Sequence, residues 1–167
     1  GAGPAGIACA YYLAVLGASV TVYEADSVVG GRLATAIPDH RLPPEILREE
    51  VESVRSRGVV FASRTLIGPG GKPISDVLRE HRAVFLGVGA RTALSLKIPG
   101  NEWFLDFQEV LRRAKLGPPL DLGARVAVIG GGAVACDCAT TARLRGAERV
   151  EILALETLGE MPLAGRQ

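Results

Sequence analysis

One pattern occurs twice in this sequence and leaves little choice of fold. It is a glycine loop, a helix of small and apolar residues, a glycine, a β-rich run and then an acid. The first copy starts at Gly1-Ala2-Gly3-Pro4-Ala5-Gly6, continues through a helical stretch over residues 5–16 that Gly17 stops, and ends with the run 19–23 and Glu24. The second has its own leading strand at 126–129. It then carries Gly130-Gly131-Gly132-Ala133-Val134-Ala135, a helix stopped by Gly146, the strand 150–155 and Glu156. The second copy is a βαβ unit and the first is one lacking only its leading strand, and such units build a parallel sheet. The expected fold class is therefore α/β, with two Rossmann-like dinucleotide-binding domains. Nothing precedes Gly1 and little follows the second unit, so both domains are expected to be incomplete in this chain.

The chemistry of the loops follows from their glycines. Gly1 permits the tight turn, Gly3 lets backbone N–H groups approach a pyrophosphate, and Gly6 is expected to let the helix pack closely on the sheet. The phosphates then sit at the N-terminus of the helix, where unpaired N–H groups and the helix dipole favour negative charge. Glu24 follows at about the 20-residue spacing of an acid that hydrogen-bonds adenosine ribose. In the second copy Gly130, Gly131, Gly132, Ala133 and Val134 form a GxGxxA-type loop. Glu156 stands where the 2′ position of a nicotinamide dinucleotide would be read. An acid there accepts a hydrogen bond from a free 2′-OH and repels a 2′-phosphate, which favours NAD over NADP. The plainer alternative is a solvated charge at the end of a strand. Two dinucleotide loops imply two dinucleotides, and an economical pair is FAD with NAD(P)H, NADH favoured.

Between the two copies the sequence predicts further elements. Residues 27–44 are turn-rich, and Gly30, Gly31 and Pro38 are expected to prevent any regular element there. A helix runs from Pro43 and Pro44 to about residue 57, with Leu47, Val51 and Val54 on one face and Gly58 ending it. A short strand covers 59–63, a turn 67–73 and a short helix 74–81. The apolar run AVFLGVGA (83–90) has the character of a strand buried on both faces of a parallel sheet. Residues 91–103 read as a connector, and 104–115 as a helix with Phe104, Phe107, Leu111 and Ala114 aligned. The expected boundaries are a first domain at 1–97, a connector with a helix at 98–123, and the start of a second domain at 124–167.

Composition narrows the function classes. Hydrophobic residues make up 48% and charged residues 22%, with a formal net charge of +1, so no basic face points to nucleic acid. Aromatics at 5% supply few stacking platforms for single strands. No apolar run reaches the roughly 20 residues of a membrane span. The chain begins on glycine rather than methionine, so a missing leader says little; the cytoplasm is the expectation. Cys9, Cys136 and Cys138 form neither a disulfide framework nor a metal-binding pair. Side chains two apart on a helix diverge by about 200°, so Cys136 and Cys138 are expected to pack rather than bond. His40 and His81 are expected at the solvated surface, and residues 48–57 to form a charged helix face. No nucleophile, metal cluster or acid–base pair stands out, as suits chemistry carried by cofactors.

Taken in order, the segments GAGPAG, YEA, GGRLATAIPDHRLP, AVFLGVGA, KIPG, VAVIGGGAVACDCATTARLRGAERV and EMP resemble the small-subunit family of glutamate synthase. That family includes the FAD/NAD(P)H half of dihydropyrimidine dehydrogenase and related electron-input subunits. The resemblance covers nearly the whole chain. It implies a pair of Rossmann-type domains, one inserted in the other, that pass electrons from NAD(P)H through FAD to iron–sulfur clusters outside this chain, on a partner domain or subunit. It assigns Gly1, Gly3, Pro4, Ala5 and Gly6 to the FAD pyrophosphate loop and Glu24 to the FAD ribose. Gly30 and Gly31, followed by Arg32 where the family carries an apolar residue, match the second glycine pair near the flavin. Arg41 matches the cofactor-reaching arginine of IPDHRLP, Leu66 a backbone contact after the strand, and Gly89 the glycine that ends the strand running up to the flavin. Gly130 to Val134 match the nicotinamide dinucleotide loop.

The chain departs from the family at Ala133, where an asparagine is usual, and at Leu155 and Glu156, where NADPH-using members carry arginines. Asp137 is either near the nicotinamide or a helix-surface charge. The expected function is a flavin-dependent NAD(P)H oxidoreductase acting as an electron-input module. The rivals are a flavin-dependent disulfide reductase or monooxygenase, and an inactive truncated dinucleotide-binding fragment. With no strand before Gly1, this piece alone is expected to bind FAD weakly or not at all.

Overall fold

The computed structural model describes residues 1–90, 98–118 and 120–161. Parts of the connector (91–97, with Lys97 of KIPG) and Pro162 of EMP lie outside the described residues. The chain divides into two compact units. One comprises Gly1–Ala34 and Asp39–Arg91, the other Thr35–Pro38 and Thr92–Gln167.

In the first unit, α1 (Pro4–Val15) opens with proline at its first position, where the missing N–H costs nothing. It ends in a Schellman motif. Gly17 adopts φ 84°, its N–H bonds to Ala14 O, and Ala18 N–H reaches back to Leu13 O. The strand β1 (Thr21–Tyr23) is shorter than the sequence suggests and pairs in parallel with β2 (Val60–Ala62), Thr21 opposite Val60 and Tyr23 opposite Ala62. Between them lie α2 (Arg32–Thr35) and α3 (Pro44–Arg55). The one-turn α2 corrects the expectation of no regular element at 27–44. Gly30 and Gly31 precede this helix rather than prevent it: the Gly30 and Gly31 carbonyls accept from Leu33 and Ala34 N–H and close its first turn.

Val51 and Val54 are buried on α3, the face that the sequence picks out. The core of the unit gathers Ala2, Ala10, Val22, Val54 and Val59, with Ile7, Tyr11, Val20 and Phe61 against it. The charged residues of 48–57 stand exposed, with the Arg55 guanidinium 5.4 Å over the Phe61 ring and that of Arg57, past the end of α3, 4.6 Å over the Tyr11 ring. A short α4 (Ile74–Glu80) follows.

The run 83–90 is the largest departure in this unit. It forms no strand, and Phe85, Leu86 and Val88 are exposed rather than buried on two faces. Among the described residues no strand lies beside it to complete a ladder, so its backbone groups have no sheet to join. His81 also departs from expectation. It is half-buried, with Nε2 3.1 Å from the Tyr23 hydroxyl and the rings edge to face. His40 is exposed.

In the second unit, a 3₁₀ turn (Asn101–Trp103) leads to α5 (Phe107–Leu116), capped by Asp106, whose Oδ1 accepts from Gln108 N–H at 2.7 Å. The helix starts three residues later than the periodicity suggests. It buries Val110 and Leu111, while Phe104 stays outside the helix and half-exposed. Strands β3 (Arg125–Ile129) and β4 (Arg149–Leu153) pair in parallel, Arg125 opposite Arg149 and Ile129 opposite Leu153. The crossover α6 (Ala133–Leu144) buries Ala135, Cys138, Ala139 and Ala142, one face at helical spacing made of small side chains. It ends as α1 does. Gly146 takes φ 100° and bonds to Arg143 O, and Ala147 N–H reaches Ala142 O. Asp137 lies on α6 but is buried, which rules out the helix-surface alternative.

Candidate dinucleotide loops

In the first unit the chain makes its loop between Gly1 and α1. Gly3 is the N-cap, with φ −79° and ψ −177° and no side-chain cap, and a Cβ built on it would meet nothing within 4 Å. The Cβ position of Gly3 therefore faces open space, and the first-turn N–H groups of α1 have no side-chain cap, the condition under which a helix N-terminus can receive phosphate. Pro4 and Ala5 form the exposed start of α1. Gly6 lies directly against the backbone of the loop. Its Cβ would stand 1.9 Å from Gly1 O, so a side chain there closes on the loop itself.

The other expected residues of this unit divide in two. Glu24, Gly30 and Gly31 are brought onto the loop. The Glu24 carboxylate is buried, with Oε2 accepting Ala2 N–H at 2.7 Å and Oε1 accepting Asp26 N–H at 2.8 Å. Each oxygen keeps a second lone pair, so the carboxylate can still accept from a ribose hydroxyl. Gly30 N–H donates to Ala2 O at 2.8 Å. Gly31, at φ 54°, has its Cα side facing Gly3, and a Cβ there would lie 2.8 Å from Gly3 Cα. The two glycine segments thus touch backbone to backbone.

Arg32 turns its guanidinium to the Ala90 carbonyl and so ties down the end of the 83–90 run. Arg41 stands exposed in the turn between α2 and α3. Leu66 is half-exposed, and its carbonyl accepts Lys72 N–H at 2.8 Å. Gly89, at φ 70°, has open space about its Cα.

Two residues of this site carry no sequence signal strong enough to single them out. Ala2 is fully buried and supplies both the N–H for Glu24 and the carbonyl for Gly30. Gly87 supports the loop from below: a Cβ on Gly1 would fall 2.5 Å from Gly87 O, and one on Gly87 3.3 Å from Gly6 N. Gly87 of FLGVGA marks this close approach, a meaning hidden when the run is taken for a strand.

The second unit repeats the arrangement. β3 delivers the chain to Gly130, which takes φ 126° and donates its N–H to Leu153 O at 2.8 Å. Gly132 is the N-cap of α6, with φ −83°, ψ 175°, no side-chain cap and nothing within 4 Å of a built Cβ. Ala133 and Val134 begin the helix, Val134 half-exposed. The strand β4 ends at Leu153, earlier than expected, yet Glu156 still reaches the loop. A Cβ on Gly131 would lie 2.8 Å from Glu156 Oε2 and 3.1 Å from Ala154 Cβ. In both units, then, the acid after the second strand sits against the second residue of the glycine loop.

The cysteines are free. Burial, helped by the neighbouring Asp137 and by Asp106, pushes the Cys138 thiol up to about 11, the opposite of what a thiolate nucleophile needs. Among the described residues no His, Cys, Asp and Glu cluster could hold a metal, and no helix is long and apolar enough to cross a membrane.

Comparison with known proteins shows the family and the fold. The profile of the family described as "Pyridine nucleotide-disulphide oxidoreductase" matches residues 1–162. The chain is 39% identical over 168 residues to the "NADP(+)-dependent formate dehydrogenase subunit beta" of Moorella thermoacetica, covering 97% of this chain and 24% of that protein. It is 37% identical to the "NADPH-Fe(3+) oxidoreductase subunit beta" of Geobacter sulfurreducens, covering 97% and 25%. It is 31% identical to the "NAD-dependent dihydropyrimidine dehydrogenase subunit PreT" of Escherichia coli, covering 100% and 40%. FprA from Mycobacterium tuberculosis in complex with NADPH shares the fold, with a TM-score of 0.74 at 21% identity, over 96% of this chain and 43% of that one. The chain thus spans about a quarter of the length of the first two relatives.

Proposed function

The chain belongs to the pyridine nucleotide-disulphide oxidoreductase family, and on that premise we propose that it is the two-cofactor part of a flavin-dependent NAD(P)H oxidoreductase, an electron-input module. The first unit takes FAD and the second the nicotinamide dinucleotide. Bound there, the pair supplies hydride transfer from nicotinamide to flavin, and from the flavin electrons go on to iron–sulfur clusters on a partner domain or subunit. The observation that carries this reading is the twin arrangement: an uncapped helix N-terminus behind an open glycine, with a carboxylate at the second loop residue, bonded to its N–H in the first unit and beside its Cα in the second.

The roles of the chain's own residues follow. Gly3 and Gly132 keep the phosphate positions clear, and the first turns of α1 and α6 donate N–H groups to the pyrophosphates. Glu24 accepts from the adenosine ribose of FAD with the lone pairs that Ala2 and Asp26 leave unused. Gly31 lets the second glycine segment lie on the first loop, on the way to the flavin. Arg41 is offered to phosphate, Leu66 to a backbone contact with the cofactor, and Gly89 to the flavin. Glu156 favours NADH over NADPH by accepting from the 2′-OH and repelling a 2′-phosphate. The relatives are split on this point, since the names of two carry NADP or NADPH and that of the third NAD.

The test is to denature the full-length protein carrying this chain and measure released flavin, then to follow bleaching of the visible band under anaerobic NADH and NADPH. The expected result is about one FAD per chain and faster bleaching with NADH. Absence of flavin after expression with riboflavin and reconstitution would overturn the reading.

A further inference from the structure

The two loops differ at one place that the shared pattern does not explain. At the second loop position the first unit has Ala2 and the second has Gly131. Ala2 is fully buried, so a Cβ is accommodated there, and Glu24 meets the residue through its N–H. At Gly131 the carboxylate occupies the space that a Cβ would take, with Oε2 of Glu156 2.8 Å from that point. Gly131 does not take a left-handed φ, unlike its neighbour Gly130 at 126°. Backbone geometry therefore does not call for glycine at 131. What glycine provides is room, and the nearest occupant of that room is the acid.

We infer that Gly131 is a positioning residue for cofactor choice: its missing side chain admits the Glu156 carboxylate into the loop, where it meets the 2′ position of the adenosine ribose. This rests on the assignment of the second unit to a nicotinamide dinucleotide. A methyl group at 131 meets Glu156 Oε2, the far end of a flexible side chain, at 2.8 Å, and the Ala154 Cβ, which must give by a few tenths of an ångström, at 3.1 Å. It turns the carboxylate outward. The 2′-OH loses its acceptor while a 2′-phosphate loses its repulsion, so the two ligands respond in opposite senses. A purely structural glycine would change both alike.

The test is calorimetric binding of ADP-ribose and 2′-phospho-ADP-ribose to the full-length protein, with saturating FAD so that the first unit does not take the probe. The proteins are wild type, Gly131→Ala, Glu156→Gln, Glu156→Asp and the double variant Gly131→Ala/Glu156→Gln, each with a melting curve. Wild type should prefer ADP-ribose at least tenfold. Gly131→Ala should shrink that ratio at least fivefold, mainly through weaker ADP-ribose binding. In the Glu156→Gln background the same substitution should leave the ratio unchanged, as expected when one residue acts through the other. Glu156→Asp is too short to fold back over the loop and should give the ratio of Gly131→Ala, which keeps the inference testable even if the alanine variant does not fold.

An equal loss of both ligands in Gly131→Ala, or a wild-type ratio in Glu156→Asp, would overturn it. If wild type binds neither probe, the assignment of the second unit fails as well. If wild type binds ADP-ribose and Gly131→Ala changes nothing, only the role of Gly131 fails.

Discussion

Replacing Glu24 separates what this acid does for the fold from what it does for a ligand. Its carboxylate is 7% exposed and accepts two backbone N–H groups, Ala2 at 2.7 Å and Asp26 at 2.8 Å. Hydrogen bonds to a charged group contribute roughly 1.5–3 kcal/mol each, and a buried donor left without a partner costs about 1–3 kcal/mol. Ala2 is fully buried, so its N–H finds no water when the carboxylate is removed. Glu24→Ala should therefore destabilise the first unit by about 3–5 kcal/mol. At about 2–4 °C per kcal/mol for a protein of this size, its melting temperature should fall by roughly 10 °C.

Glu24→Gln keeps one acceptor oxygen, which can serve one of the two N–H groups while the amide NH₂ faces the other. Its cost should be about half as large. Thermal melts read by circular dichroism on the flavin-free full-length protein would measure this without any ligand contribution. The same melts with added FAD should show the variants gaining less stabilisation than wild type. A Glu24→Ala protein melting within a degree of wild type would refute the reasoning, since it would mean that the buried loop amide needs no acceptor.

Other substitutions probe the glycines, the backbone and the buried thiol. Gly3→Ala should fold with little loss, because nothing lies within 4 Å of the added carbon, but should weaken FAD binding at least tenfold by flavin titration. Gly6→Ala should destabilise by at least about 1–3 kcal/mol in a denaturant melt, since the added carbon falls 1.9 Å from a backbone carbonyl that cannot swing away. Arg64 has a left-handed backbone at φ 56°, the single such non-glycine residue among those described. Arg64→Gly should thus be more stable than Arg64→Ala by about 1 kcal/mol in the same assay. Cys138 should resist iodoacetamide at pH 8 while Cys9 and Cys136 react, read by mass spectrometry, because burial raises its thiol to about 11. Its folded-state value lies above the ordinary one near 9, so the stability it contributes is complete below pH 9 and is lost as pH rises toward 11. Cys138→Ala should flatten that alkaline limb of a stability–pH profile.

Much of this protein is legible without coordinates, and for a local reason. Pro4 at a helix start, Gly17 and Gly146 at left-handed helix ends, and the small-residue face of α6 act within a few residues of themselves, where backbone sterics and capping decide the outcome. Those constraints, repeated in order, suffice for a glycine loop, helix and strand in each half, two uncapped helix N-termini and an acid after each of those strands. What they cannot supply is which backbones meet across tens of residues, because that depends on how elements pack once formed. Only the tertiary structure shows that Gly6 is required by the Gly1 carbonyl, that Gly31 lies on Gly3 and that Gly87 underlies the loop.

The run 83–90 shows the same limit from the other side. Its apolar composition is that of a buried strand, but a strand exists only where a neighbour offers a ladder, and among the described residues none does. The acids make the point most sharply. Spacing alone predicts that Glu24 and Glu156 stand at the right ends of their strands. The packed structure decides that one takes an alanine's N–H, while the other moves into the space a glycine leaves.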